Sequence, residues 1–164
     1  MRDYHPSARL IEARDALVGD TWSLEQTPTA RRAVAVQSAH GVSWLEVRHD
    51  LAAAPEPDLE FVAAVRADVD ALLGSLNSRA SLSPDHLAKI VGRHNSATPG
   101  PWQCYSESGG GLGGSNVITL GGSDADLYLY LDGRLAPDPE WVFVALAHSE
   151  VPPMVDAVRK LARD

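Results

Sequence analysis

Residues 55–76 read "PEPDLEFVAAVRADVDALLGSL" and residues 137–158 read "PDPEWVFVALAHSEVPPMVDAV". Slid by 82 positions, Pro55, Pro57, Phe61, Val62, Ala63 and Val69 fall on Pro137, Pro139, Phe143, Val144, Ala145 and Val151. Asp58 falls on Glu140, Asp68 on Glu150 and Leu73 on Val155. So dense a match in so short a window marks an internal repeat, and a repeat organises every other reading of a chain. It continues upstream, where Leu45 and Val47 fall on Leu127 and Leu129, and where Trp22 precedes Trp102 by 80 positions. The reading is a tandem duplication, with one copy over residues 1–80 and the other over residues 81–164. Copies this short bury too little surface to be stable alone, so one pseudo-twofold unit is expected.

Each copy reads as helix, three strands, helix. In the second, Ser83 or Asp85 caps a helix that Pro84 opens and that must end before Pro99. Strands follow at "WQCYSE", "NVITL" and "DLYLYLD", the last alternating Leu127, Leu129 and Leu131 against Tyr128 and Tyr130. Asp132-Gly133 is a turn, and a helix starts at the prolines beyond it. Trp141, Val144, Ala145 and His148 share one face of that helix. Pro152-Pro153 is expected to break or restart it. The first copy gives a helix near residues 7–18 and strands at "TWSLEQ", "RRAVAVQS" and "VSWLEVR". Its last helix should run unbroken from Pro57 to Leu76, because Asp70-Ala71 replaces the proline pair. Short links make neighbouring strands antiparallel. The expected class is α+β, with helices on one face of antiparallel sheet. Edge-to-edge joining and face-to-face packing of the two three-stranded sheets are both compatible with the pattern.

The chain has 164 residues, a formal charge of −8, and 45% hydrophobic residues. Its basic residues are scattered apart from Arg31-Arg32 and Arg159-Lys160, so no stripe suited to nucleic acid is present. No apolar run reaches the roughly 18–20 residues that span a membrane, and the charged start lacks a signal-peptide core. Cys104 is the only cysteine. These features predict a cytoplasmic protein without an intrachain disulfide or multi-cysteine metal site.

The stretch "ATPGPW" (residues 97–102) and the helix around residues 139–152 resemble two signatures of the Ead-like phage proteins, a small-domain family of phages, prophages and actinobacterial genomes. The hexapeptide is complete. The helix signature, of the form "DAxFIAxARxDVPxLL", has drifted in the second copy and is nearer in the first, "DLEFVAAVRADVDALL". The first copy keeps only the tryptophan of the corner, in "GDTW". The resemblance covers two short windows per copy. It implies a phage or mobile-element accessory protein and brings no catalytic residues with it.

Each candidate site also has a plainer reading. "ATPGPW" reads as a helix stop and a stiff turn that delivers Trp102 to the core, rather than a catalytic loop. The glycine run of residues 109–114 lies between strands and lacks the Lys-Ser or Lys-Thr of a phosphate loop. Cys104 and His94 could pair as thiol and imidazole, but a lone cysteine more often packs. The six histidines show no ligand spacing, and no metal or cofactor is expected. His49 reads as solvated, and His148, which falls on Arg66, as the polar edge of a helix. Asp124, Asp126 and Asp132 read as turns.

One feature points outward. If Leu45, Val47, Leu127 and Leu129 face the core, then Trp44, Tyr128 and Tyr130 face the other way. On an open sheet they make a partner-binding surface; in stacked sheets or a homodimer they are core. The functional expectation is a non-enzymatic, acidic protein that binds or inhibits a host or competitor protein, as in anti-defence or immunity. The alternative is a small-ligand or nucleotide binder with its site between the copies. A third reading is an enzyme built on His94 and Cys104.

Overall fold

A computed structural model describes residues 4–105 and 116–164. The glycine run of residues 109–114 lies outside the described residues. The described residues hold, in order, α1 (Ala8–Asp15), β1 (Thr21–Gln26), β2 (Arg32–Ser38), β3 (Gly41–His49), β4 (Ala52–Ala53), α2 (Glu56–Ser78), α3 (Pro84–Ser96), β5 (Trp102–Tyr105), β6 (Val117–Leu120), β7 (Asp126–Leu131), β8 (Arg134–Leu135) and α4 (Asp138–Leu161). Local chemistry sets the boundaries. The Ser7 hydroxyl accepts from the Leu10 N–H at 3.1 Å, and the Ser83 hydroxyl from the His86 N–H at 3.2 Å, each capping a short helix. The long helices α2 and α4 begin at Glu56 and Asp138 and carry Pro57 and Pro139 in the first turn, which their fixed φ suits. Asp132 and Gly133 take φ of 50° and 82°, the mirror-image turn that closes the β7–β8 hairpin. The two-residue strands β4 and β8 carry no alternation long enough to read, and the sequence pattern missed both.

All strands are antiparallel and form one open sheet in the order β1-β2-β3-β7-β6-β5, with β4 beside β3 and β8 beside β7. The two three-stranded groups therefore join edge to edge. At the seam Val47 pairs with Leu129, flanked by Leu45 with Leu131 and His49 with Leu127. The inward residues Trp22, Val34, Val36, Leu45, Val47, Trp102, Ile118, Leu120, Leu127 and Leu129 are buried under α2 and α4. This is the α+β arrangement in which helices cover one face.

The helix α4 runs without a break from Asp138 to Leu161 through Pro152 and Pro153, which corrects the expectation that the proline pair divides it. A proline removes the N–H that would bond the carbonyl four residues back, so Pro152 strands the His148 carbonyl. His94 of α3 fills the vacancy, its Nε2 lying 2.8 Å from that oxygen. Since the partner is a carbonyl, Nε2 carries the proton.

Helices of the first half pack against helices of the second. Glu150 on α4 accepts from the Tyr4 hydroxyl (2.9 Å) and from the backbone N–H of Ser7 (2.7 Å), fastening the start of α1. Asp68 on α2, 82 positions earlier, accepts two bonds from Arg93 of α3 at 3.1 and 2.6 Å. Neither half has a core that is closed without the other.

Candidate functional site

The corner before β5 is held by a buried carboxylate. Asp58, 1% exposed at the start of α2, accepts the Thr98 N–H at 2.6 Å and the Thr98 hydroxyl at 2.7 Å. The His49 Nε2 lies 2.8 Å from the same carboxylate but is not directed for a hydrogen bond. His49 is thus nearly buried at the end of β3, not solvated as its sequence position suggested. The Thr98 carbonyl accepts from the Trp102 indole N–H at 2.9 Å. The Gly100–Pro101 peptide is cis. Gly121 and Gly122 clasp the corner from β6, donating to the Pro101 and Pro99 carbonyls at 2.8 Å each. A side chain on Gly121 would strike the Gly100 carbonyl, so only glycine admits this approach.

Rings fill the space beneath. His148 stacks on Trp102 with centroids 4.2 Å apart and planes 5° from parallel, and Phe61 meets Trp102 edge-on at 5.3 Å. His94 lies 4.6 Å from His148. Burial, reinforced by the neighbouring His94, pushes the His148 pKa down to about 4. His148 was expected on a polar helix edge; it is 5% exposed, as is Arg66 at its offset position. Both were misplaced because their partners are corner residues remote in sequence.

The corner before β1 repeats this plan with different groups. Glu140, at the position of Asp58, accepts the Val18 N–H at 2.8 Å. Arg66, at the position of His148, donates to the Val18 and Gly19 carbonyls at 3.1 and 2.8 Å. Its guanidinium lies 5.8 Å from the Trp22 ring centroid, and Phe143 meets Trp22 edge-on at 6.0 Å. The Trp22 indole nitrogen has no hydrogen-bond partner, whereas that of Trp102 donates to the Thr98 carbonyl. Burial raises the Glu140 pKa and lowers that of Arg66. In both corners the carboxylate comes from the opposite half of the chain.

These groups bond the backbone of the two corners. The carboxylate stands between His49 and Thr98, so the imidazole does not contact the hydroxyl, and the group that accepts the hydroxyl proton is the Asp58 carboxylate itself. Cys104 pairs with Ile118 in the sheet, and burial raises its thiol pKa. His94 spends its Nε2 proton on the His148 carbonyl, so the thiol–imidazole pair does not form through that nitrogen. Among the described residues no group of three His, Cys, Asp or Glu side chains is placed to hold a metal ion. A recess between α3 and α4, lined by His94, Pro152 and Arg159 among others, holds about 100 Å³, and two more open hollows, along α1 and between β1 and α2, hold about 540 and 430 Å³.

The other sheet face has a different character. Strand alternation places Val42, Trp44, Glu46 and Arg48 of β3 there, beside Asp126, Tyr128 and Tyr130 of β7. The helices pack against one another and on the opposite face, while Ala33 and Ala35 of β2, which share this face with Trp44, are buried beside it. Trp44 and Tyr130 are half-buried, whereas Val42, Leu135 and Tyr105 are exposed. The Arg48 guanidinium lies 4.3 Å from the Tyr130 ring centroid and pairs with Glu46 at 2.7 Å. Tyr128 differs from its neighbours. It sits where pairing of β7 passes from β6 to β8, and its ring meets Trp141 of α4 edge-on at 6.3 Å. It therefore belongs partly to the core. Compared with family models, with curated proteins and with solved structures, the chain matches none.

Proposed function

We propose that the protein is a non-enzymatic binding module that captures another protein on its uncovered sheet face. The observation that carries this reading is the aromatic stripe of Trp44, Tyr130 and Tyr128 at the centre of an open sheet, on the face opposite the helices. Aromatic residues with neighbouring arginine are what protein interfaces favour. The likeness of "ATPGPW" and the helix signatures to Ead-like phage proteins supports a cytoplasmic accessory role of phage or mobile-element origin, acting on a host or competitor protein. The reciprocal contacts between positions 82 apart support descent by tandem duplication into a pseudo-twofold unit.

Trp44→Ser combined with Tyr130→Ser tests the surface. Both side chains stand on the open face, whereas Tyr128 also packs on Trp141 and is best left in place. The double variant should lose capture of the partner in an affinity pulldown while keeping its thermal unfolding midpoint. Undiminished capture by the folded double variant overturns the assignment.

A further inference from the structure

Resting on that reading of the sheet face, we infer that the occupant is a basic, arginine-bearing segment of another protein, whose guanidinium groups stack on the Trp44 ring and, in exchange for Arg48, on the Tyr130 ring. Three observations converge. The face is acidic as well as aromatic: strand alternation gives it Glu25 and Asp126, while Glu46 and Arg48 neutralise each other as an ion pair. At one end of the stripe Asp50 and Asp126 meet, the Asp50 carboxylate accepting the Asp126 N–H at 3.0 Å. At the other, the Asp132 carboxylate accepts the Trp44 N–H at 2.9 Å. The stripe is thus bounded by carboxylates at both ends. Finally, Arg48 over Tyr130 shows that a guanidinium already rests on a ring of this face.

The chemistry selects arginine over other cations. A planar guanidinium stacks on an aromatic face and donates sideways to a carboxylate at the same time, which a compact ammonium does less well. Total charge selects against a second copy of the chain. Two bodies of charge −8 repel as they approach, whereas a basic partner is steered in.

The test uses nuclear magnetic resonance of the full chain, titrated with the blocked peptide Gly-Arg-Gly-Arg-Gly and with its lysine counterpart. Trp44 is the only half-exposed tryptophan among the four, the others being 6% exposed or less, so its indole N–H reports on the face alone. The arginine peptide should shift the Trp44 indole and Tyr130 signals and bind about threefold tighter than the lysine peptide. Added salt should weaken it. Tyr130→Phe should retain binding and Tyr130→Ser should lose it, with undisturbed spectra elsewhere verifying the fold. Equal binding of both peptides with shifts scattered over the surface overturns the inference, as does sedimentation as a dimer with the Trp44 signal protected. If the peptides leave the face untouched while Trp44→Ser/Tyr130→Ser still abolishes protein capture, the binding face stands and only the partner's chemistry falls.

Discussion

The two corners that lead into β1 and β5 solve one problem with two chemistries. Each must turn the chain out of a short helix, bury a tryptophan and pair the backbone groups left over. At residues 97–102 the turn is stiffened by two prolines and clasped by Gly121 and Gly122. Its carboxylate, Asp58, makes two hydrogen bonds, and the ring stacked on the tryptophan is a neutral imidazole. At residues 18–22 there is no proline. Glu140 makes a single side-chain bond, one of its oxygens has no partner, and a guanidinium supplies the missing donors. The lesson is that a corner can be fixed by stiffening the chain or by donating to its carbonyls. The hexapeptide is one solution rather than a requirement of the fold.

The sharpest way to break this comparison is at the carboxylates. Asp58→Ala leaves the Thr98 N–H and hydroxyl without their acceptor, and should cost about 4 kcal/mol. Glu140→Gln keeps an acceptor for Val18 and removes a buried, half-partnered charge, so it should cost under about 1 kcal/mol. Urea unfolding of both variants measures the difference; equal costs would show that the corners depend on their carboxylates alike.

Acid should distinguish the corners next. His148 titrates near 6.5 when unfolded and at about 4 when folded, so below 6.5 the unfolded chain binds more protons. Stability is unaffected above pH 6.5 and falls as pH drops toward 4, by about 3 kcal/mol in all. The groups facing the ring are His94 and Asp58, the first opposing and the second favouring its protonation. Arg66 stays charged throughout this range and contributes no such slope. His148→Gln should flatten the profile between pH 6.5 and 4, as read from unfolding midpoints; a slope left unchanged would place the acid sensitivity elsewhere.

The smallest effect concerns the proline pair. If His94 matters because Pro152 strands a carbonyl, His94→Ala should cost about 1 kcal/mol more beside Pro152 than beside Pro152→Ala. A double-mutant cycle reads that coupling directly, and strict additivity would mean the contact is incidental.

Much of this was legible in the sequence, and the remainder was hidden for a physical reason. Among the described residues, periodicity and caps located the four helices and six of the eight strands, because these signals lie within a few residues of one another. The alternation of "DLYLYL" assigned both faces of β7. What escaped were partners that meet only after the halves close on each other. His49 reads as a loop residue until Asp58 reaches it, and His148 and Arg66 read as helix edges until a corner lands on them. The unbroken α4 escaped likewise, since the donor that excuses Pro152 sits on α3. Matching Asp58 to Glu140 was the one sign that a helix start does more than begin a helix, and it became interpretable only with the corners in view.

The bond from His94 to the His148 carbonyl also constrains the order in which the chain could change. A proline arriving at position 152 without that histidine leaves a buried carbonyl bare, whereas the histidine arriving first gives up at most one optional bond. The favourable path places His94 before Pro152. Once both are present, losing the histidine forfeits a bond that the proline has made useful.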